Sequence, residues 1–247
     1  MKYAGAGTRV LLDQYHLSGF LASSGIDFTQ ETIKVDCYSD TGPRRLVGNY
    51  DHTLAHTGYF DAATGAMDPM LFASLADNAE HYGLITFGGI GTTVPAEGAI
   101  GYEQIGVMAG RPMSAPIGAA IAQDFSMDGS QGASRVAVLR SGTISGNGNG
   151  TGQNVGITTS PTTLQVVFRI ISGTFTACTF TVEQSSDNGA GDAYAAVASL
   201  TSGNMTAAGI VRVTTAATTE AWKRVAVSGW AGTSLVAVVT IGTVQGT

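Results

Sequence analysis

A hydrolase would need a nucleophile, a base and an orienting acid, and the chain offers four histidines for the base: His16, His52, His56 and His81. No Gly-x-Ser-x-Gly elbow accompanies them. Ser18-Gly19 beside His16 reads as a turn, because the partners of a catalytic set are missing around it. His52 and His56 stand four apart, a spacing that on a helix lets two imidazoles chelate one metal ion. The alternation Tyr50-x-His52-x-Leu54-x-His56 says strand instead. Four strand residues span roughly 13 Å, too far for an ion shared within one chain. A structural or wall-lining role follows, and a shared ion would need neighbouring copies.

Other chemical signals are weaker. Gly88-Gly89-Ile90-Gly91 resembles a phosphate-cradling loop but lacks the Lys-Ser/Thr and the following helix, so a bulge or turn is the expectation. Asp187-Asn188-Gly189 with Asp192 has the wrong spacing for an EF-hand and reads as a turn. Trp222 and Trp230 could stack on a sugar, although core packing is the commoner fate of such residues. Cys37 and Cys178 have neither metal nor redox spacing and read as small buried apolar residues. The expectation is therefore no enzyme, with no catalytic, metal or cofactor-binding residue and no cofactor.

Composition points to assembly. Of 247 residues, 44% are hydrophobic and only 12% charged. A chain so poor in charge is expected to hide surface against something, and copies of itself are the simplest cover. The net charge is −6, carried unevenly: residues 1–140 hold eight Lys/Arg and fourteen Asp/Glu, whereas residues 141–247 hold four of each. Such a balance argues against ordinary nucleic-acid binding, which needs a basic face. An acidic wall would repel phosphate and let a polyanion slide past, though mild acidity also simply maintains solubility. No signal peptide and no membrane-length apolar run is visible, and folding in a reducing cytoplasm is expected.

The elements form a mainly β, α+β pattern. Residues 1–7 (MKYAGAG) read as a flexible arm, followed by a short strand at Thr8–Leu12 and another at Phe20–Phe28. One helix is predicted from Asp68 to Gly83, with Asp68 as N-cap, Pro69 at the first position and Gly83 as C-cap. Its apolar stripe, Leu71, Phe72, Leu75, Ala79 and Tyr82, is expected to pack across a sheet. Asp128-Gly129 reads as a turn between strands. Residues 141–152 (SGTISGNGNGTG) are a linker candidate or a long exposed loop. Beyond it, β-branched runs separated by Gly173, Asp187-Asn188-Gly189 and Gly203-Asn204 suggest a small antiparallel sandwich over residues 153–247.

The stretch Thr29–Phe60 reads as a long hairpin. Ile33, Val35 and Cys37 alternate with Thr32, Lys34 and Asp36 in the first arm, and Tyr50, His52, Leu54, His56 and Gly58 share a face of the second. The loop between them holds Tyr38, Asp40, Gly42 and Pro43, followed by Arg44 and Arg45.

This region resembles the major tail tube proteins of long, non-contractile phage tails. The opening Thr8-Arg9-Val10-Leu11-Leu12-Asp13-Gln14-Tyr15-His16-Leu17-Ser18-Gly19-Phe20-Leu21 is similar to that family's T-x-V-L-x-D-x-Y-x-L-S-G-x-L. Tyr38-Ser39-Asp40, Arg44-Arg45, Gly48 and Gly58-Tyr59-Phe60-Asp61 then follow in the family's order. The likeness covers about the first quarter of the chain and returns weakly at Glu183-Gln184-Ser185-Ser186-Asp187. It implies a tail-tube fold, an antiparallel sandwich or barrel with one packing helix and an extended hairpin, plus a C-terminal sandwich module. It also implies hexameric rings stacked into a hollow tube in the virion tail, conducting DNA without sequence-specific binding and without a membrane. Tape measure, tail terminator and distal tail proteins would be its partners. In that setting Tyr38, Asp40, Arg44 and Arg45 would contact neighbouring subunits and rings. Ile33, Val35, Leu54 and His56 would lie on ring-forming arms, and Leu71, Phe72, Leu75 and Tyr82 on the bracing helix. Residues 1–140 would form the ring domain and 153–247 an outward module, with a glycan-binding adhesin or decoration protein as the rival expectation.

Overall fold

A computed structural model describes residues 7–35, 44–63, 67–88, 94–156, 163–215, 218 and 220–244. The chain is mainly β with one helix, and its strands belong to one large antiparallel sheet of fourteen strands among the described residues. In chain order these are β1 (Arg9–Leu12), β2 (Tyr15–His16), β3 (Leu21–Val35), β4 (Arg44–Tyr59), helix α1 (Met67–Ala76), β5 (His81–Phe87), β6 (Ile100–Gly110) and β7 (Met113–Ser114). They continue with β8 (Ala122–Ile144), β9 (Gly148–Asn149), β10 (Gln153–Asn154), β11 (Leu164–Ser185), β12 (Ala195–Met205), β13 (Gly209–Thr215) and β14 (Trp222–Val244). No helix among the described residues is long and apolar enough to cross a membrane. The contacts divide the chain into two compact units that interleave in sequence. The first holds residues 1–19, 82–103 and 134–245, and the second chiefly 20–81 and 104–133.

The first unit is built on β11 and β14, which pair from Leu164↔Thr243 to Ser185↔Trp222. Alternating side chains from both strands bury Phe168, Phe180, Val182, Val225, Val239 and Ile241 in one apolar cluster. The Phe168 and Phe180 rings stack with centroids 6.0 Å apart. Both strands run straight through positions that read as turns in the sequence. Gly173 and Gly232 sit among register shifts, where an added Cβ would meet Leu235 and Phe175 backbone at 2.6 Å. They are bulge glycines, placed where two backbones come close. Gly203 lies inside β12 for a related reason, with φ +65. The glycine-rich stretch 141–152 likewise carries strand: its first four residues end β8, and Gly148–Asn149 forms β9 against Val227 and Ala226 of β14.

A buried ion pair lies inside this unit. Arg169 and Glu103 are both fully buried and paired, with Arg169 Nε also donating to the Asp13 carbonyl at 3.2 Å. The Thr240 hydroxyl donates to the other Glu103 oxygen. The group fixes β1, β6, β11 and β14 in one arrangement, since removing either charge would strand the other in an apolar interior.

The second unit consists of the β3–β4 hairpin, the first half of β8, most of β6, β7 and α1. β3 and β4 pair from Leu21↔Gly58 to Val35↔Arg44, and β4 pairs β8 from Thr53↔Asp128 to Tyr59↔Ala122. The separate strand at Phe20–Phe28 and the first arm are thus one fifteen-residue strand. β8 passes without a turn through Asp128-Gly129. Gly129 is needed because the His52 ring lies against its backbone, in the space a Cβ would take.

The helix differs from expectation. It spans Met67–Ala76 and ends at Asp77 and Asn78, the latter with φ +53, a left-handed stop that Asn tolerates. Its buried stripe is Met67, Met70, Leu71 and Ser74. Of the expected stripe, Leu71 packs inward, Phe72 and Leu75 are 65% and 42% exposed, and Tyr82 belongs to β5. The true stripe uses the residues next to Phe72 and Leu75, which the larger apolar side chains conceal in a sequence reading. His81 Nε2 lies 3.1 Å from the Ser74 carbonyl and 3.2 Å from Asp77, closing the helix end.

Candidate functional site

The hairpin presents two different faces. On the inner one, Leu21↔Gly58↔Gln123, Ser24↔His56↔Phe125 and Ile26↔Leu54↔Met127 form rows across β3, β4 and β8. Leu54 and His56 are 1% and 2% exposed, so their side chains serve the chain's own core and are not free to meet a neighbouring copy. The His56 ring lies 4.4 Å from that of Phe125, and neither of its nitrogens has a hydrogen-bond partner among the described residues. Burial pushes its pKa down to about 4. His52 is also lowered by burial, opposed by Asp51 and by a hydrogen bond to the Gln131 backbone. These histidines pack as neutral aromatics. No group of three or more potential metal ligands occurs among the described residues.

The outer face consists of the rows Ser23↔Thr57↔Asp124, Gly25↔Ala55↔Ser126, Asp27↔Thr53↔Asp128 and Thr29↔Asp51. In these rows the side chains are small and the four charges, Asp27, Asp51, Asp124 and Asp128, are negative; beyond them the same face of β4 carries the exposed Tyr59 at one end and Arg45, opposite Lys34, at the other. Ser23 and Thr57 hydroxyls bond at 2.7 Å, and Thr53 donates to Asp128 at 3.2 Å. The middle of this surface is polar and acidic. Sequence reasoning placed excess negative charge in this half of the chain but did not identify the face, because the acids lie on three strands far apart in sequence.

The hairpin edge is open. β3 pairs only with β4 among the described residues, so the N–H and C=O groups of every second residue along its fifteen-residue, proline-free length point to an edge with no paired strand. Among the described residues, residues 44–52 of β4 pair only with β3, so the hairpin runs on past its last β8 pairing for roughly 30 Å at ~3.3 Å per residue. Near its end Lys34 stands opposite Arg45, whose guanidinium reaches Thr32 Oγ1 at 3.5 Å. Ile33, Val35 and Arg44 are strand positions in this part. Tyr38 and Asp40 lie outside the described residues.

Exposed apolar side chains cluster in the same unit. Of the nine large exposed ones among the described residues, Tyr15 belongs to the first unit, and Phe28, Tyr59, Phe72, Leu75, Val107, Met113, Ile117 and Ile121 belong to the second.

The remaining chemical candidates are accounted for by packing. Asp187 accepts hydrogen bonds from the amides of Ala190, Gly191 and Asp192, which orders a turn and pulls its pKa down. Its oxygens are thus already used by the loop itself. Trp230 packs against the apolar cluster of the first unit. Lys223 is fully buried, donates to Gln184 Oε1 at 3.2 Å and to the Glu220 carbonyl, and is pushed by burial to about 8. Cys178 is buried, and its thiol is raised to about 11 by burial.

No family model and no curated protein matches the chain. Among solved structures it is similar to a chain in the virion of a native gene transfer agent particle, at 15% identity and TM-score 0.42, over 54% of this chain and 98% of that one. It is similar to a chain in the tail of an empty gene transfer agent particle, refined helically with C6 symmetry, at 14% identity and TM-score 0.37, with coverage of 54% and 98%. It is also similar to the SPP1 Dit protein, described as a hub adsorption apparatus of phages infecting Gram-positive hosts, at 9% identity and TM-score 0.36, over 96% and 98% of the two chains. At this level the likeness concerns the fold and assigns no role.

Proposed function

We propose that the chain is a structural virion protein, the major subunit of a phage-type tail tube. The observation that carries this reading is the open, proline-free edge of β3, fifteen residues long. Soluble proteins protect such edges with prolines, charges or covering segments, because an open edge pairs with other chains. Here a second copy completes the sheet, and closure around a ring removes the edge altogether. The run of tail-tube motifs over Thr8–Asp61 supports the same reading.

In this proposal six copies close a ring and rings stack head to tail, since a face matched to a different face continues into a filament. The acidic face of β3, β4 and β8 lines the lumen, where like charge keeps DNA from adhering while it moves from capsid to cell. A tape measure protein occupies the lumen before ejection, and terminator and distal tail proteins cap the ends. Arg44 and Arg45, with Tyr38 and Asp40 of the hairpin loop, meet the next ring, where a guanidinium can fork onto a carboxylate. Residues 153–245, which share one compact unit with residues 1–19, 82–103 and 134–152, lie outside the lumen in this proposal. The subunit is made in the host cytoplasm and resides in the virion tail.

Reversing both arginines, Arg44→Glu with Arg45→Glu, tests the reading. The expected product is folded protein, with an unchanged melting curve, that forms no long tubes in electron micrographs. Tubes of normal length from this variant would refute the proposed ring-to-ring contact.

A further inference from the structure

We propose that the turn between β7 and β8 is an apolar finger that docks on the outer face of α1 of a second copy of this chain. The inference rests on the tube reading and names a contact within it. Both legs of the finger are clamped to the first turn of α1. Arg111 pairs with Asp68 at 2.7 Å, and Gln123 Nε2 donates to the same carboxylate at 3.0 Å. Between the clamps, no residue from Pro112 to Ala122 is charged. The tip is a tight turn, with Ala119 N bonding the Pro116 carbonyl at 3.3 Å and Gly118 at φ +81. That geometry is a type II turn, with glycine at the position requiring positive φ.

The turn holds Ile117 at 106% relative exposure, fully open to solvent. Every residue from Pro112 to Ile121 is exposed, including Met113 and Ile121. A rigid turn that spends its outermost position on isoleucine is built to be covered.

A matching uncovered surface exists on the same unit. The outer face of α1 exposes Pro69, Phe72, Ala73, Leu75 and Ala76, none of them charged. The Arg111 guanidinium lies 5.4 Å from the Phe72 ring centroid and steadies the ring without covering it. Finger and helix face are both neutral in a chain of net charge −6, and neither is occupied by the other within one molecule. Where the finger of one copy meets the helix face of the next in one direction only, the contact is head-to-tail, the type that generates rings and filaments.

Mixing two variants in a Cys37→Ser background tests the contact: one chain carries Ile117→Cys, the other Leu75→Cys. After assembly and mild oxidation, a disulfide-linked dimer is expected in the mixture and in neither variant alone. Ile117→Asp is expected to leave the melting curve unchanged and to raise the concentration for half-assembly at least about tenfold, as loss of one buried isoleucine implies. Unchanged assembly of Ile117→Asp with no cross-link in the mixture would overturn the contact while leaving the tube reading intact. A dimer from Ile117→Cys alone would also overturn it, as would sedimentation with phosphatidylcholine–phosphatidylglycerol vesicles that Ile117→Asp abolishes. A chain monomeric at every concentration would overturn both inferences.

Discussion

His56 shows how far a single residue can be read. Its place on the covered face of a strand follows from the alternation around it, and the structure leaves it 2% exposed against Phe125. With no partner for either ring nitrogen, burial holds its pKa at about 4, below the ordinary 6.5. The unfolded chain therefore binds a proton at higher pH than the folded one. Stability is full above about 6.5, declines as pH falls from there towards 4, and is flat below. The span corresponds to about 3 kcal/mol. Denaturant melts between pH 7 and 4 should show this loss, and His56→Phe should reduce the slope, His52 and His16, also lowered by burial, keeping part of it; an unchanged slope would exclude His56 as a source. What the sequence hid was the neighbour: the fit of His52 against Gly129 joins residues 77 positions apart, and glycine at 129 looks in isolation like half of a turn.

Among the elements, the hairpin was legible because period-two alternation survives wherever one face is covered, as the buried positions His52, Leu54, His56 and Gly58 confirm. The strand breaks were less so. Gly129, Gly173, Gly203 and Asp128 carry the composition of turns, yet each lies within a strand, because glycine serves close backbone approach and bulges as readily as reversal. The helix was found but set one position out of phase and extended too far, since Phe72 and Leu75 outweigh Met70 and Ser74 in hydrophobicity while facing solvent. The acidic face was invisible until β3, β4 and β8 were laid side by side. It yields a prediction for assembled protein: replacing Asp27, Asp51, Asp124 and Asp128 with lysine should make tubes retain double-stranded DNA in a salt-dependent way, where the original surface releases it. Equal, weak retention by both would mean that this face does not line the DNA path.

For the whole molecule, charge and apolar surface are sorted by unit. The first unit buries its large side chains around β11 and β14, whereas the second keeps an open edge, an acidic face and eight of the nine exposed large apolar residues. A sequence with 12% charged residues foretells cover from outside, but not which part is covered, because the two units interleave along the chain. In the proposed tube, copies of this chain complete one another's sheets. Negative-stain electron microscopy of the purified protein across a concentration series tests it most directly. The account predicts sixfold rings at intermediate concentration and hollow tubes above it. Monodisperse single chains at every concentration, with neither ring nor tube, would contradict it.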